Sequence, residues 1–290
     1  MVTNYKLQTK EMPELPEVET IRRQLAEELT GYRFVDVKTE WEKSFRPSFK
    51  EVTAAIKDKT IGKIDRQAKL LIFRLDNNLD LLFHLKMTGR LLVRKPDEPT
   101  DEYTRSAFTL KKGSDIKELR FVDSRKFGFV KLIKSKEEIN KLLASYGPEP
   151  LKDLTLAKFS ETLKSSSRPI KLVLMDQGKI SGIGNIYVND ALWLAKINPK
   201  KPAKKLRPDE VKELFGAIEK VLKEGLKYGG ASDQWYRQVH GEEGKYQEHF
   251  LVYGRNGEKC SRCGETINRI GFGGRGTFFC PKCQKENRER

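Results

Sequence analysis

The stretch Met12-Pro13-Glu14-Leu15-Pro16-Glu17-Val18-Glu19-Thr20 sets a proline directly after a methionine, with Glu14 and Glu17 beside it. A chain begun at Met12 and trimmed of that methionine would present Pro13 as a free secondary amine. An α-amino group titrates near ~8 and a lysine near ~10.4, so far more of the former is unprotonated at neutral pH. Unprotonated amines attack sugar or carbonyl carbons and form Schiff bases, and neighbouring carboxylates can move the protons involved. The same residues also suit an ordinary helix start, with Pro16 at the first position and Glu17 and Glu19 in the first turn. Working outward, Val18, Ile21, Leu25 and Leu29 recur at helical spacing and Gly31 closes the segment. A helix is therefore predicted over residues 16–29, with one face on a core.

The charge balance narrows the partner. In 290 residues, 57 Lys+Arg stand against 41 Asp+Glu, a formal net charge of +16. Such a surface points to a polyanion, nucleic acid or an anionic membrane. No apolar run is long enough to span a bilayer. Residues 1–11 are polar, lack the apolar core of a signal peptide, and read as an unstructured leader or a mis-set start. All four cysteines fall between Cys260 and Cys283. None is left for a disulfide framework elsewhere, which suits a reducing, cytoplasmic interior. No internal repeat is present.

Beyond the first helix, short apolar segments alternate with turn residues. Segments 69–75, 80–85, 90–93, 108–110, 118–122 and 129–133 read as strands. Asn77-Asn78, Gly89, 96–99 and 112–115 mark turns. Many short strands at this spacing predict a β-sandwich or barrel, with a short helix within 44–57 at its edge. Tyr146-Gly147-Pro148-Glu149-Pro150 is a break. Beyond it the pattern turns helical, at 155–164, 169–175, 185–195 and 208–228. Residues 229–247 form a polar, aromatic, glycine-bearing stretch, and a loop that long is functional or disordered. The chain thus divides into a leader (1–11), an N-terminal β domain (12–146), a helical domain with its long loop (147–250), a cysteine hairpin (251–285) and a tail (286–290).

Cys260-x2-Cys263-x16-Cys280-x2-Cys283 is the motif that stands without any comparison. Thiolate pairs two residues apart hold one Zn²⁺ tetrahedrally across a hairpin, and four thiolates leave no open position, so the metal is structural. Within the hairpin, Arg269 and Arg275 lie among glycines, which lets a guanidinium approach a phosphate closely. Ser181-Gly182-Ile183-Gly184-Asn185 precedes a predicted helix and frees backbone N–H groups for an anion, with Asn185 as a side-chain donor. No Gly-Lys-Ser/Thr follows, so this is not a nucleotide P-loop, and a plain tight turn would explain it equally. Asp123-Ser124-Arg125-Lys126-Phe127-Gly128 puts two cations and an aromatic on a loop between strands. There Arg125 and Phe127 could take the space of an extruded base. Met87, in His84-Leu85-Lys86-Met87-Thr88-Gly89, could act as a third wedge. Core packing is the plainer role for Met87 or Phe127 alone, a structural one for His84, and a solvated strand end for Lys69.

These motifs, in this order, resemble the formamidopyrimidine-DNA glycosylases, bacterial-type repair enzymes that excise oxidised purines. The likeness runs through 13–25, Lys69, 84–89, 123–128, 147–150, 175–199 and 252–285, nearly everything except the first eleven residues. It implies an α+β multidomain chain: an N-terminal β-sandwich with a leading helix, a helix-two-turn-helix domain and a C-terminal zinc-finger β-hairpin. By the same match Pro13 is the nucleophile and Glu14 the proton donor. Lys69 serves both phosphate binding and the strand-nicking step, and Glu17 is a carboxylate at the base site. Met87, Arg125 and Phe127 intercalate, while His84, Asn185 and Arg275 bind DNA. The implied partner is damaged double-stranded DNA, bound by a monomer near the nucleoid, with one structural Zn²⁺, no nucleotide cofactor and no membrane. Ser124 stands where the family usually has proline and Lys86 where it usually has glycine, and the long loop matches only approximately. Two other readings are an endonuclease VIII-like glycosylase for oxidised pyrimidines, against which Leu15 argues, and a catalytically silent DNA-binding relative should residues 1–11 stay attached.

Overall fold

Helix α1 (Leu15–Leu29) starts one residue before the predicted position because Glu14 takes the N-cap, its backbone N–H donating to Glu17 Oε2 at 2.9 Å. The computed structural model describes residues 12–76, 78–232 and 235–286. Four sequence expectations lie outside the described residues: the leader 1–11, the turn residue Asn77, positions 233–234 of the long loop, and tail positions 287–290.

After α1 the chain runs through β1 (Arg33–Thr39), a 3-10 turn (Glu42–Ser44), β2 (Phe45–Arg46), α2 (Phe49–Ile56), β3 (Ile61–Gln67), β4 (Leu70–Leu75), β5 (Asp80–His84), β6 (Gly89–Arg94), β7 (Thr104–Lys112), β8 (Asp115–Asp123), β9 (Phe129–Ile133) and α3 (Lys136–Leu143). The strands form two sheets, ordered β1-β7-β8-β6 and β2-β9-β5-β4-β3. Phe34, Phe73, Phe83, Phe108 and Phe121 fill the space between them, Phe83 lying edge-on to Phe108 at 5.4 Å. Val18, Ile21, Leu25 and Leu29 of α1 complete this core. β4 is buried on both faces, since Leu71 and Phe73 point into the sandwich and Ile72 lies under α3 with Ile139.

Three elements were not expected. β1 and β3 are edge strands, whose charged open faces hide the apolar alternation. α3 is half Lys and Glu and sets only Ile139, Leu142 and Leu143 against its sheet. Two expectations shift. The helix within 44–57 is confined to α2, capped by Ser48 Oγ accepting from Glu51 N–H at 3.2 Å, because Phe45–Arg46 pairs with β9 instead. Gly89 opens β6 rather than marking a turn. Its N–H donates to Leu85 O at 2.9 Å, and a Cβ there would fall 2.3 Å from that oxygen.

The second core is helical: α4 (Leu156–Lys164), α5 (Ile170–Leu174), α6 (Asn185–Leu194) and α7 (Pro208–Lys227). α6 is buried on every side, and α7 covers it with Leu214, Ile218, Val221 and Leu222. A hairpin of β10 (Asn268–Phe272) and β11 (Arg275–Phe279) packs on α6 through Phe278, so Cys260 and Cys280 belong to the helical core. The two cores interlock. Leu15 of α1 enters the helical core, while Tyr236 and Val239 of the long loop enter the sandwich core.

Candidate active site and nucleic-acid interface

Pro13 and Glu14 sit at the mouth of α1, where the two cores meet, and both are buried. The Glu14 carboxylate is aimed into the N-terminus of α6. Oε2 accepts the Gly184 N–H at 2.7 Å and Oε1 the Ile186 N–H at 2.8 Å, an anion position at the positive end of a helix. Leu15 N–H donates to Gly182 O at 3.0 Å and locks the approach. A Cβ at Gly184 would lie 2.4 Å from Glu14 Cδ, so only glycine admits the carboxylate there. The Ser181–Asn185 stretch therefore takes its anion from within the chain.

Glu17, one turn on, is also buried. It accepts Tyr187 Oη–H at 2.6 Å, Ala231 N–H at 2.8 Å and Glu14 N–H at 2.9 Å. Burial pushes its carboxyl pKa up, against the pull of those donors. Through Tyr187 and Ala231 it joins α1 to α6 and to the root of the long loop.

Lys69 is only 6% exposed and is no solvated strand end. It follows Ala68, whose backbone is held at both ends: its N–H donates to Glu149 Oε2 at 2.7 Å, and its carbonyl accepts Arg66 Nη1 at 2.8 Å. Arg66 in turn grips both oxygens of Glu149 at 2.6 Å and Glu19 at 2.9 Å. This fork binds α1, the β3–β4 turn and the 147–150 break into one network. Sequence reading missed it; the only hint was a glutamate between two prolines.

His84 pairs with Leu70 across β4–β5, its ring against Phe129. Its Nδ1 accepts the Lys86 N–H at 3.0 Å, which leaves Nε2 as the protonated nitrogen of the neutral ring. Burial, with the Lys86, Lys69 and Arg46 cations around it, pulls its pKa down to about 3. The ring is thus a neutral N–H donor in a cationic corner, suited to a phosphate oxygen.

Met87, Arg125 and Phe127, scattered in sequence, are brought together. Arg125 Nη1 lies 3.4 Å from Met87 Sδ, and its guanidinium stands 4.7 Å from the centre of the Phe127 ring. Phe127 is 50% exposed, too much for a core residue. The organiser is the fully buried Asp123, another residue not foreseen. Its carboxylate accepts from Thr88 Oγ1 and from the backbone N–H groups of Arg125, Phe127 and Gly128 at 3.1, 2.9 and 2.8 Å. An Asp opening a loop rich in polar residues was the available signal.

Asn185 is buried and donates through Nδ2 to Gly276 O at 3.0 Å, tying the start of α6 to the hairpin. One step away, Arg275 is exposed at the end of the turn made by Gly273 and Gly274, both at positive φ (60° and 72°). The four cysteine Sγ atoms lie within 4.8 Å of one another. Separations of 3.9, 3.5 and 3.4 Å for the pairs 260–283, 263–280 and 263–283 fit a tetrahedron whose sulfurs stand roughly 3.8 Å apart around Zn²⁺. Trp193 Nε1–H donates to Cys260 Sγ at 3.4 Å, and Gln284 accepts the Cys280 N–H at 2.9 Å. The set is a closed, structural zinc site. No helix among the described residues is long and apolar enough to cross a membrane.

The sequence matches family models for the formamidopyrimidine-DNA glycosylase N-terminal domain over residues 12–130, the formamidopyrimidine-DNA glycosylase H2TH domain over 146–236, and the zinc finger found in FPG and IleRS over 257–285. The formamidopyrimidine-DNA glycosylase of Chloroflexus aurantiacus is 44% identical over 275 residues, covering 94% of this chain and 98% of that protein. That of Herpetosiphon aurantiacus is 44% identical over 276 residues, covering 94% and 100%. Two structures of the Lactococcus lactis enzyme, one with DNA containing an abasic site and one with DNA containing N7-benzyl-Fapy-dG, each match with a TM-score of 0.88. Both are 36% identical and cover 94% of this chain and 100% of theirs. Shared sequence along almost the whole length, the same three modules in the same order and the same fold lead to one conclusion: the chain belongs to the formamidopyrimidine-DNA glycosylase family.

Proposed function

We propose that the chain removes oxidised purines such as 8-oxoguanine and formamidopyrimidines from duplex DNA through a Schiff base on Pro13, and then nicks the strand. The observation that carries this reading is the Glu14 carboxylate, fixed by the Gly184 and Ile186 N–H groups directly after Pro13. A carboxylate held by fixed dipoles beside an amine can move a proton without first reorganising. The Pro13 nitrogen forms a bond to C1′ as the bond from C1′ to the base breaks. Glu14 takes the proton shed by the Pro13 nitrogen and passes it to the ring oxygen of the sugar as the ring opens, the departing base takes its proton from water, and an iminium then links Pro13 to the sugar. Elimination of the phosphates on either side of the sugar cuts the strand, with Lys69 as the further proton donor. Glu17 stands at the base site. Met87, Arg125 and Phe127 fill the space of the everted base, whose unstacking costs a few kcal/mol. Lys69, His84, Asn185 and Arg275 hold the backbone. In a chain where Met12 is joined to Pro13, that nitrogen is an amide whose lone pair is delocalised. The chemistry thus belongs to a form whose first residue is Pro13.

DNA lies in a cleft between the 12–146 and 147–250 segments, with 251–285 fixed on the second. The place of work is the cytoplasm, at the nucleoid. Excision rates on otherwise identical duplexes carrying 8-oxoguanine, a formamidopyrimidine or an oxidised pyrimidine test the reading. Preference for the two purine lesions is expected. Preference for the pyrimidine would overturn it in favour of an endonuclease VIII-like specificity.

A further inference from the structure

Strand β6 alternates, and the face it turns away from the core carries an unmatched cation. Leu91 and Val93 point into the sandwich, so Arg90, Leu92 and Arg94 share the opposite face. Across the β6–β8 ladder Arg90 stands opposite Val122, Leu92 opposite Arg120 and Arg94 opposite Glu118. The long loop adds Arg237 to this corner where it crosses β6, with Val93 N–H donating to Val239 O at 2.8 Å. Three of these four arginines have a carboxylate. Arg94 meets Asp101 at 3.0 Å, Arg120 meets Asp101 at 3.1 Å and Glu118 at 2.9 Å, and Arg237 meets Glu243 at 2.6 Å. Arg90 forms no ion pair among the described residues, and its Nε is buried with no hydrogen-bond partner. Burial, then the fields of Arg237 and Arg94, work against its charge, while Asp101 and Glu102 favour it through space without touching it. A half-buried guanidinium without a contacting counter-ion is destabilising, and a buried donor without an acceptor calls for a ligand.

Its place says which ligand. Arg90 lies three residues after Met87 and one ladder step from Asp123, which shapes the wedge loop. Arg237 follows Tyr236, whose ring packs where a Cβ at Gly230 would meet both it and Glu17. The corner therefore joins the wedge to the base site. We propose that Arg90, flanked by Arg94 and Arg237, is an anion site that accepts a phosphodiester of the damaged strand, a backbone contact additional to Lys69, His84, Asn185 and Arg275. The guanidinium fork matches two phosphate oxygens. Because Arg94 and Arg237 are already offset by Asp101 and Glu243, the free charge is a single one. That suits a singly charged diester better than a doubly charged free phosphate. The proposal rests on the reading of the cleft as the DNA site.

The test compares wild type, Arg90→Met, Arg90→Lys and Lys69→Ala, each bound to a duplex with a stable abasic analogue over a range of salt. Arg90→Met should weaken binding on the order of tenfold and reduce the log–log salt slope by roughly 0.9. Arg90→Lys should keep the slope. Arg90→Met should also melt at the same temperature as wild type or higher, because the substitution removes a desolvated cation without a partner. A merely structural arginine would give the reverse, a lower melting temperature with an unchanged slope, and that result would overturn the proposal. Loss of slope in Lys69→Ala but not in Arg90→Met would sink the Arg90 site alone. An unchanged slope in both would overturn the cleft reading and the site with it. In a parallel titration, inorganic phosphate should raise the melting temperature of wild type and Arg90→Met no differently than sodium chloride of equal ionic strength. Selective stabilisation of wild type by phosphate, with an unchanged slope for DNA, would assign the site to the free ion and overturn the diester.

Discussion

Asp123 shows how one buried carboxylate can shape a surface that it never joins. It gathers a hydroxyl and three backbone N–H groups, and so sets Arg125 and Phe127 beside Met87. Asp123→Ala strands those donors, and a destabilisation of about 3 kcal/mol is expected in chemical denaturation. Excision from intact duplex should fall more than cleavage of a preformed abasic site, where no base remains to be everted; equal loss on both substrates would count against the wedge. Two other residues set the response to acid. Burial alone would raise the Glu19 carboxyl, yet Arg22, Arg66 and Arg23 bring it down from 4.5 to about 2. A depressed carboxylate stabilises the fold above its unfolded value and loses that contribution as pH falls from about 4.5 to 2. His84 adds to the same limb, because the unfolded imidazole takes a proton below 6.5 while the buried one stays neutral to about 3. Stability should therefore decline on acidification through both windows, and His84→Gln should flatten the upper one, from 6.5 towards 3. An unchanged slope there, measured by denaturant titration at stepped pH, would show that the ring is protonated in the folded chain.

At the scale of elements, α1 and α6 meet end to end through Glu14. Gly184→Ala places a methyl 2.4 Å from the Glu14 carboxyl carbon. The turnover number is expected to fall on the order of 10²-fold from the displaced proton donor, with DNA binding and zinc content retained. Wild-type turnover in this variant would remove Glu14 from the chemistry. Much of this was legible beforehand. The 3.6-residue stripes of α1 and α7 and the cysteine spacing each depend on a local pattern; both helices appear in the structure with one end shifted by a single residue, and the four cysteines cluster. The edge strands β1 and β3 were not legible, because a strand with one open side carries charge where alternation would otherwise show. Nor were the partners of Glu149, since a contact 83 residues away leaves no mark on local sequence. The hairpin joins both kinds of evidence. Its cysteines were read from spacing, but only the fold shows Cys260 and Cys280 inside the helical core, with Trp193 on Cys260. Structural zinc binding carries roughly 10–16 kcal/mol of folding energy. Chelation should thus loosen the helical core as well as the hairpin, change Trp193 fluorescence and abolish DNA binding, while the sandwich stays folded. Full DNA binding by metal-free protein would contradict this.

The whole molecule is two cores held by exchanged parts. Leu15 crosses one way, Tyr236 and Val239 cross the other, and the fork of Arg66 on Glu149 and Glu19 closes the seam behind Lys69. The long loop, read from sequence as functional or disordered, is in its described part a strap. Gln24 Nε2 donates to Gln238 Oε1 at 2.6 Å, and His240 meets Glu28 at 3.1 Å. Its root at Ala231 donates to Glu17, so strap, Glu17 and Pro13–Glu14 share one corner. The net charge of +16 attracts a polyanion to the molecule as a whole. All of this arrangement converges on the Pro13 nitrogen, and one measurement addresses that atom directly. The chain beginning at Pro13 and the 290-residue chain are each confirmed by intact mass, then reduced with borohydride in the presence of 8-oxoguanine duplex. The form beginning at Pro13 should become covalently attached to DNA through its N-terminal peptide, and the longer form should not. Trapping of the longer form at comparable yield, or attachment through any other peptide, would contradict the nucleophile on which the account depends.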